Sequence, residues 1–329
     1  MVAWFDADGP GASADEGPLP RTLHLAATRT QELRYGENPH QVGARYSLPG
    51  GSCWDDAVQH GGKEMSYLNV YDADAAWRLV HSLGELPTAV VIKHANPCGA
   101  AVGADITEAY VRAHECDPIS AFGGIVALNR VVPRSLAEAL APVFTEVVIA
   151  PGYEDDALEL LTGKKNLRVL TAPAPEVPPL DIRTISGGLL VQTADEVTVD
   201  STGWSIVTER QPTDAEWGDL ELAWRLVARV TSNTIVLVKD GQAVGIGAGQ
   251  QNRRDAGRIA AEKAAGRAVG GACASDAFFP FRDGLDAAAE AGATAVIQPG
   301  GSIRDEEVIA AANEAGMAMV FTGERHFKH

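Results

Sequence analysis

A lysine and a histidine follow an apolar run in the segment VVIKHANPCG, residues 90–99. The run predicts a strand that ends at an Asn-Pro turn, and ligands of α/β proteins are commonly bound where strands end. There the His94 imidazole could act as a general base, and the Lys93 ammonium could stabilise developing negative charge. For an arbitrary Lys-His pair, however, a structural role is the better prediction, with Lys93 extended along the surface and His94 hydrogen-bonded in the core.

Two other segments place charged or small residues where a ligand could be held. LRYGENPHQ combines Arg34 and Tyr35 with an Asn-Pro turn, which suits a phosphate clamp but is also typical of a surface turn with a salt bridge. CDPISAFGG ends at Gly123 and Gly124, which either let a ligand approach the backbone or form a tight turn. Each segment leaves both interpretations open.

The C-terminal part of the sequence offers an amide, a glycine-rich run and a phenylalanine cluster. Asn233 provides both a donor and an acceptor at a predicted strand start. A predicted hairpin around Asp240 leads through GIGAG to a helix near Arg253, but the spacing differs from GxGxxG and does not favour a dinucleotide site. ASDAFFPFRDG groups three Phe residues that could line a slot for a flat ring or pack in the core.

These segments lie between apolar runs that alternate with Ala-rich amphipathic stretches, which predicts an α/β fold with a largely parallel or mixed sheet. The predicted strands are 88–93, 124–128, 146–149, 167–171, 188–192, 233–239, 243–247, 294–298 and 317–321. The predicted helices are 72–83, 106–115, 133–143, 154–162, 213–229, 253–265, 283–291 and 304–315. The first residues are rich in Gly, Pro, Ala and Asp and predict a linker at 1–22. The Pro-rich, poorly periodic stretch at 172–187 favours a division of the rest into two α/β subdomains at 23–200 and 201–329.

The composition is that of an acidic globular protein. The 329 residues include 27 Lys and Arg against 44 Asp and Glu, so the formal net charge is −17. This length predicts two units that can each bury a core. The charge argues against binding nucleic acid or an anionic membrane, whereas a few Arg residues would still hold a small anionic ligand.

Cysteine usage and the N-terminus bear on metal binding and location. Cys53, Cys98, Cys116 and Cys273 form no CxxC pair and have no His at metal-ligand spacing, so we expect neither a disulfide framework nor a zinc site. The sequence shows no signal peptide and no stretch of roughly 18 apolar residues. We therefore expect a cytoplasmic protein that is neither exported nor membrane-spanning.

Taken in order, the segments resemble one known family: the transformylase part of the bifunctional AICAR formyltransferase/IMP cyclohydrolases of purine biosynthesis, where AICAR is aminoimidazole carboxamide ribonucleotide. The matching motifs are LRYGENPHQ, KEMSYLNVYDADAAW, IKHANPCG, CDPISAFGG, IAPGY, TSN, GIGAGQQNR, SDAFFPFRD and RHFKH. They run from residue 33 to the C-terminus, so the resemblance does not depend on any one of them.

The resemblance implies that a formyl group passes from 10-formyltetrahydrofolate, the co-substrate, to AICAR. It also implies two subdomains of cytidine-deaminase-like fold and a homodimer with active sites shared across the interface. The sequence lacks the HxE and CxxC zinc signature of deaminases, so the likeness is architectural and no zinc is expected. Some members hold a structural monovalent cation, such as K⁺, near the TSN and SDAFF segments.

Roles for individual residues also follow from the resemblance. His94 would take the proton of the AICAR amine, Lys93 would support the oxyanion and the departing folate nitrogen, and Asn233 would orient the carboxamide. The other nucleotide contacts would be Arg34, Tyr35, Gly123, Glu146, Lys165, Arg253 and Arg325. The folate contacts would be Arg254, Phe278, Asp283, Ser302 and Ile303.

The family usually carries an N-terminal cyclohydrolase domain, for which this sequence has no room. The opening VAWFDAD is similar to the last helix of that domain and its linker, so we expect a fragment, an engineered domain or a naturally separate transformylase, without cyclohydrolase activity. Two alternatives differ in function. A deaminase of the same fold is disfavoured by the missing zinc ligands, and a non-catalytic nucleotide- or folate-binding module is disfavoured because Lys93, His94 and Asn233 are all present.

Overall fold

A computed structural model describes residues 18–197, 199 and 201–329 of the chain. The VAWFDAD segment and most of the predicted linker at 1–22 lie outside the described residues. The strands are β1 (Thr28–Leu33), β2 (Gly43–Ser47), β3 (Val58–Gly61), β4 (Thr88–Lys93), β5 (Asn96–Val102), β6 (Gly124–Leu128), β7 (Thr145–Ala150), β8 (Arg168–Thr171), β9 (Leu180–Ile185), β10 (Gly188–Thr193), β11 (Ser205–Ile206), β12 (Ile235–Lys239), β13 (Gln242–Gly247), β14 (Ala272–Ser275), β15 (Ala295–Gln298) and β16 (Ala318–Phe321).

The helices alternate with these strands as the sequence predicts. They are α1 (Tyr67–Ser82), α2 (Ile106–Cys116), α3 (Pro118–Ala121), α4 (Arg134–Leu140), α5 (Asp155–Thr162), α6 (Asp214–Val227), α7 (Arg253–Ala264), α8 (Asp283–Glu290) and α9 (Asp305–Glu314), with a 3₁₀ turn at Ser201–Gly203. Polar residues fix several helix starts. A capping box between Ser66 and Asn69 begins α1, and one between Thr213 and Glu216 begins α6. Each box gives hydrogen-bond partners to N–H groups at the N-terminus of its helix.

Twelve strands form one mixed sheet in the order β11-β16-β15-β14-β12-β13-β5-β4-β6-β7-β8-β3. The strands of residues 58–171 form a first half and those of residues 205–321 a second half, and the halves meet where Gln242 of β13 pairs with Ala101 of β5. β6, β7 and β8 are parallel, as are β14, β15 and β16, while the hairpin pairs are antiparallel. This confirms an α/β fold with a mixed sheet; the subdomain boundary at residue 200 stays a prediction.

Helices cover both faces of the sheet. One face packs on α1 and α6 in a single core that contains Trp77 and Trp224 and spans both halves. The other face carries two separate cores, one in the first half around Leu136 and one in the second half around Phe279. Because the central strands are buried on both faces, they read as continuous apolar runs in the sequence.

Three sequence expectations are wrong in detail. Residues Asn96–Val102 form strand β5, and the turn before it is His94–Ala95, not an Asn-Pro turn. Strand β9 lies within the stretch 172–187, where the sequence predicts no strand. His94 is exposed, so it is not a core histidine.

Candidate active site

The predicted site residues lie near the ends of strands along one side of the twelve-stranded sheet, which we call the site edge; some are on loops, others in the ends of strands or in the first turns of helices. In the first half this edge holds the end of β4 and the starts of β5, β6, β7 and β8. In the second half it holds the start of β12 and the ends of β13, β14, β15 and β16. The antiparallel pairing of β13 with β5 puts the two stretches on the same side of the sheet.

At the centre of the site edge, His94 and Ala95 form the two-residue turn of the β4–β5 hairpin. Lys93 pairs with Asn96 across the turn, and both turn residues are left-handed, with φ of 53° for His94 and 57° for Ala95. A hairpin of this kind normally takes Asn-Gly, because a left-handed residue with a side chain costs about 1–2 kcal/mol. A turn held in this conformation projects the His94 side chain away from the strand pair, where it is exposed.

The Lys93 side chain is fixed against the loop that precedes β6. Its Nζ donates to the carbonyl oxygens of Phe122 at 3.0 Å and of Gly123 at 2.9 Å. Gly123 has φ of +69°, and a Cβ there would lie 3.1 Å from Lys93 Nζ. The positive φ therefore favours glycine at this position, and the space for a side chain is tight, which accounts for Gly123 in the Gly pair of the sequence.

Asn233 lies on the second-half side of this hairpin, two residues before β12. Its amide Nδ2 and its backbone N–H both donate to the carbonyl of Gln250, at 2.9 and 3.0 Å. The neighbouring Thr231 N–H donates to Asn96 Oδ1 at 2.9 Å, which ties this loop to the His94 hairpin. The structure thus brings together the elements that carry Lys93, His94 and Asn233.

The C-terminal segment is hydrogen-bonded to both the His94–Ala95 turn and the loop that carries Asn233. Its Lys328 carbonyl accepts from Ser232 N–H at 2.8 Å, and Lys328 Nζ donates to the carbonyls of Ala95 at 3.3 Å and Arg229 at 3.0 Å. Burial, together with nearby Arg229, lowers the pKa of Lys328. Lys328 lies within the RHFKH motif, but nothing in its spacing identifies this contact.

A charged cluster extends the site edge into the second half. Arg253, the first residue of α7, donates to the carboxylate of Asp276 at 2.9 Å, and Asp276 is fully buried. Ser232 Oγ donates to the other oxygen of Asp276 at 2.5 Å. The Arg325 guanidinium lies 4.2 Å from the ring centre of Phe327, and that of Arg253 lies 5.6 Å from it, so both predicted arginines meet on one ring.

Glu146 forms a second cluster at the start of β7. Its Oε2 accepts from Asn69 Nδ2 at 2.8 Å and lies 3.8 Å from Arg168 Nη1. Burial lowers the pKa of Arg168, and Glu146 opposes this shift. Neither Asn69 nor Arg168 was singled out from the sequence, since each is a lone polar residue far along the chain from Glu146.

Arg34 and Tyr35 are hydrogen-bonded through their backbones to residues at or just before the start of α1, the helix that carries Asn69. The Arg34 N–H donates to Met65 O, and Tyr67 N–H donates to Tyr35 O, each at 3.2 Å. The Arg34 guanidinium lies 5.3 Å from the centre of the Tyr35 ring, and the electrostatic effect of both residues reaches Arg168. The LRY segment therefore lies beside the start of α1, not on an isolated surface turn.

Lys165 lies in the loop before β8, also on the site edge. It is exposed and lines a groove of about 280 Å³ formed by residues 140–145 and 164–167. An exposed ammonium beside a groove can hold an anion, but the described contacts do not join Lys165 to the Glu146 cluster.

The predicted folate residues lie beyond the ends of three strands of the second half, in loops and in the first turns of α7 and α8. Phe278 and Asp283 follow β14, Ser302 and Ile303 follow β15, and Arg254 is the second residue of α7. Phe278 is half-buried, whereas Arg254, Asp283 and Ile303 are exposed. Of the three Phe residues grouped in the sequence, Phe279 packs in the core, so the two interpretations of that cluster each hold for part of it.

Taken together, the site edge has an exposed imidazole, an ammonium directed to the neighbouring loop, an amide and several guanidinium groups. Such groups can bind a phosphorylated ligand and move one proton at its far end. Among residues 18–197, 199 and 201–329, no cluster of three or more His, Cys, Asp or Glu side chains could hold a metal ion. Within the same ranges no helix combines the length and apolar character needed to cross a bilayer.

The chain is similar to known proteins over most of its length. The family model described as AICARFT/IMPCHase bienzyme matches residues 2–263. Relatives called bifunctional purine biosynthesis protein PurH include those of Cereibacter sphaeroides, 52% identical over 97% of the chain, Dinoroseobacter shibae, 53% over 94%, and Anoxybacillus flavithermus, 52% over 94%. The chain spans 61–63% of the length of these three relatives.

Proposed function

Because the chain belongs to the AICARFT/IMPCHase bienzyme family, we propose that it is a formyltransferase of purine biosynthesis. Its substrates would be AICAR and 10-formyltetrahydrofolate, and its products FAICAR and tetrahydrofolate. The observation that carries the proposal is the convergence of the loops holding Lys93, His94 and Asn233 on one sheet edge. We assign only the formyl transfer to these residues.

In the proposed reaction the AICAR amine attacks the formyl carbon. This amine is a weak nucleophile, because its lone pair is delocalised into the imidazole and carboxamide, so His94 accepts its proton as the new N–C bond forms. Lys93 offsets the negative charge on the formyl oxygen. When the bond between the formyl carbon and the folate nitrogen breaks, that nitrogen takes up a proton from the Lys93 ammonium and tetrahydrofolate leaves; solvent then carries the proton accepted by His94 back to Lys93. Asn233 orients the carboxamide, and holding both substrates together supplies much of the rate.

The nucleotide would lie along the first half of the site edge and reach into the second half, where Asn233, Arg253 and Arg325 lie. Arg34, Tyr35, Gly123 and Glu146 would contact it, together with Lys165, Arg253 and Arg325. Guanidinium and ammonium groups suit a dianionic phosphate, and the Glu146 carboxylate suits the ribose hydroxyls. The folate would lie along the second half, with Phe278 against the pterin, Asp283 hydrogen-bonded to it, and Arg254, Ser302 and Ile303 nearby.

Three further properties belong to the proposal. The two subdomains, 23–200 and 201–329, would each have a cytidine-deaminase-like fold. The chain would act as a homodimer with shared active sites, in the cytoplasm, where purine biosynthesis takes place. A monovalent cation would fit near Asp276, because Thr234 and Asp276 directly flank the paired residues Ile235 and Ser275, and the buried Thr234 Oγ1 has no hydrogen-bond partner among the described residues.

The test is the release of tetrahydrofolate when the purified chain is mixed with AICAR and 10-formyltetrahydrofolate, with His94→Ala and the surface control His24→Ala alongside. We expect wild type and His24→Ala to turn over, and His94→Ala to lose about 10²–10⁴-fold in kcat while keeping its AICAR affinity. A folded wild type that binds AICAR without releasing tetrahydrofolate would overturn the proposal in favour of a binding module.

A further inference from the structure

The His94–Ala95 turn is held in a conformation that its residues do not favour. Two successive residues with side chains have positive φ, 53° and 57°. Such a conformation persists only where the surrounding structure fixes it, and it is found most often at functional sites. The surroundings of Ala95 are therefore informative about how His94 is positioned.

A carboxylate from α1 holds the turn on one side. Asp72 Oδ1 accepts a hydrogen bond from the Ala95 N–H at 2.9 Å, and the carboxylate is half-buried. Burial raises the pKa of Asp72, while the N–H groups of Ala95 and His94 lower it. Asn69, one turn earlier on the same helix, contacts Glu146, so α1 aligns the turn with the Glu146 cluster.

An ammonium from the C-terminal segment holds the turn on the other side. Lys328 Nζ donates to the Ala95 carbonyl at 3.3 Å and to the Arg229 carbonyl at 3.0 Å. The charges around it are those of Arg229, Arg78 and Asp74. Since the Lys328 carbonyl also accepts from Ser232 N–H, the same residue fixes the distance between the turn and the Asn233 loop.

We infer that Asp72 and Lys328 are positioning residues that clamp the N–H and the C=O of Ala95 and so fix the direction of the His94 imidazole. Both contact the backbone of the turn, so they act through His94 and are not catalytic themselves. The inference rests on the proposed function, because the rate consequence requires His94 to be the base. A base displaced by about 1 Å loses on the order of 10²-fold in rate.

The first test compares variants of Asp72 with a control on the same helix. Asp72→Ala removes the acceptor for Ala95 N–H, whereas Asp72→Asn keeps an acceptor oxygen. Asp74→Ala is the control, since Asp74 contacts Trp54 and Arg78 and not the turn. We expect kcat to fall about 10²-fold in Asp72→Ala and only a few-fold in Asp72→Asn, with AICAR affinity nearly unchanged in both.

Hydrogen exchange of the Ala95 amide tests the clamp without turnover. Loss of the carboxylate should speed exchange at Ala95 in Asp72→Ala and leave it slow in Asp74→Ala, while amides of β4 away from the turn stay protected. A wild type that binds AICAR but shows no turnover would contradict the proposed function, and this measurement would still decide the clamp. Unchanged exchange and unchanged kcat in Asp72→Ala would overturn the inference.

The second test asks whether both residues act on the same turn. Lys328→Met removes the donor to Ala95 O, and Lys328→Arg restores a cation. In a double-mutant cycle, Asp72→Ala combined with Lys328→Met should lower kcat by less than the product of the single effects, because the turn is already free after one change. Multiplicative losses would show that the two residues act independently and would contradict a shared clamp.

Discussion

The first half of the site edge and the folate residues of the second half differ in how firmly their side chains are held, although Asn233 and Arg253, also in the second half, have partners of their own. In the first half, Lys93 and Glu146 each have two partners, and the His94 turn is clamped at Ala95. In the second half, Arg254 and Asp283 are exposed, and their side chains make no hydrogen bond or ion pair within the described ranges. Ile303 is a large apolar side chain that is fully exposed, at 102% of its reference area.

This difference indicates that the firmly held residues and the open residues have different functions. Groups that take part in chemistry lose rate when they are displaced slightly, so they benefit from fixed partners. Groups that bind a large flat ligand can remain open, because the ligand itself covers them. We therefore expect changes in the first half to lower kcat or nucleotide affinity, and changes in the folate loops to raise the KM for the folate.

The largest effect is expected from Lys93→Met. It removes a positive charge at the reacting centre and frees the carbonyls of Phe122 and Gly123, so kcat should fall about 10²–10³-fold. Lys164→Met is the matched control, since Lys164 Nζ also donates to a backbone carbonyl, that of Ala141, at 2.8 Å. If Lys93→Met had the same kcat as Lys164→Met in the tetrahydrofolate assay, Lys93 would have no role in the formyl transfer.

Glu146→Gln should act on nucleotide binding. The amide keeps an acceptor for Asn69 but loses the charge, and a hydrogen bond to a charged group contributes about 1.5–3 kcal/mol, so AICAR should bind at least roughly tenfold more weakly. Glu138→Gln, in a surface ion pair with Arg134, is the control. Calorimetric titration with AICAR measures the change. Unaltered affinity in Glu146→Gln would show that the nucleotide does not bind beside β7.

Phe278→Ala should affect the other substrate. Loss of a stacking ring should raise the KM for 10-formyltetrahydrofolate by several-fold to about tenfold and leave AICAR affinity unchanged. Phe281→Ala is the control, because Arg304 covers the Phe281 ring at 4.8 Å. If Phe278→Ala weakened AICAR binding instead, Phe278 would not belong to a folate site separate from the nucleotide site.

The smallest effect on activity is expected at the opposite edge of the sheet, where Glu216 accepts from Arg210 at 2.7 and 2.9 Å and from Thr294. Burial raises the pKa of Glu216, but these hydrogen bonds outweigh it and hold the pKa at about 2. A depressed pKa stabilises the fold above the unfolded-state value near 4.3, and this contribution is lost as the pH falls toward 2.

Glu216→Gln should therefore lower the free energy of unfolding by about 1–3 kcal/mol at pH 7, less at pH 3, with kcat unchanged. Urea unfolding at both pH values measures this, with Glu221→Gln on the same helix as the control. A large loss of kcat in Glu216→Gln at a temperature where it is folded would show that catalysis is not confined to the site edge.

Much of the fold could be predicted from the sequence, because buried strands and amphipathic helices have different periods. Strand β5 could not, since Pro97 and Gly99 are turn signals. Pro97 is tolerated because it pairs with Ile92 where the β4–β5 register shifts, and a proline at such an irregularity breaks no regular ladder bond. Strand β14 was missed because its four residues, ACAS, are too few and too small to give a period.

The site could be predicted only where its functional residues are close together in the sequence. Lys93 and His94 end an apolar run, so the sequence predicts that they lie at the end of a buried strand. Asp72 and Lys328 contact Ala95 from 23 and 233 residues away, and one polar residue at such a distance carries no local signal. Arg168 was missed for the same reason, since its partner Glu146 belongs to a different strand.

The central claim is that one edge of the sheet binds both substrates and carries the transfer. A crystal structure of the chain with AICAR tests it most directly. We predict the nucleotide on the site edge, with its imidazole ring between His94 and Asn233 and its phosphate among the arginine side chains. Nucleotide density at any other place, such as the opposite edge near Glu216, would contradict the account.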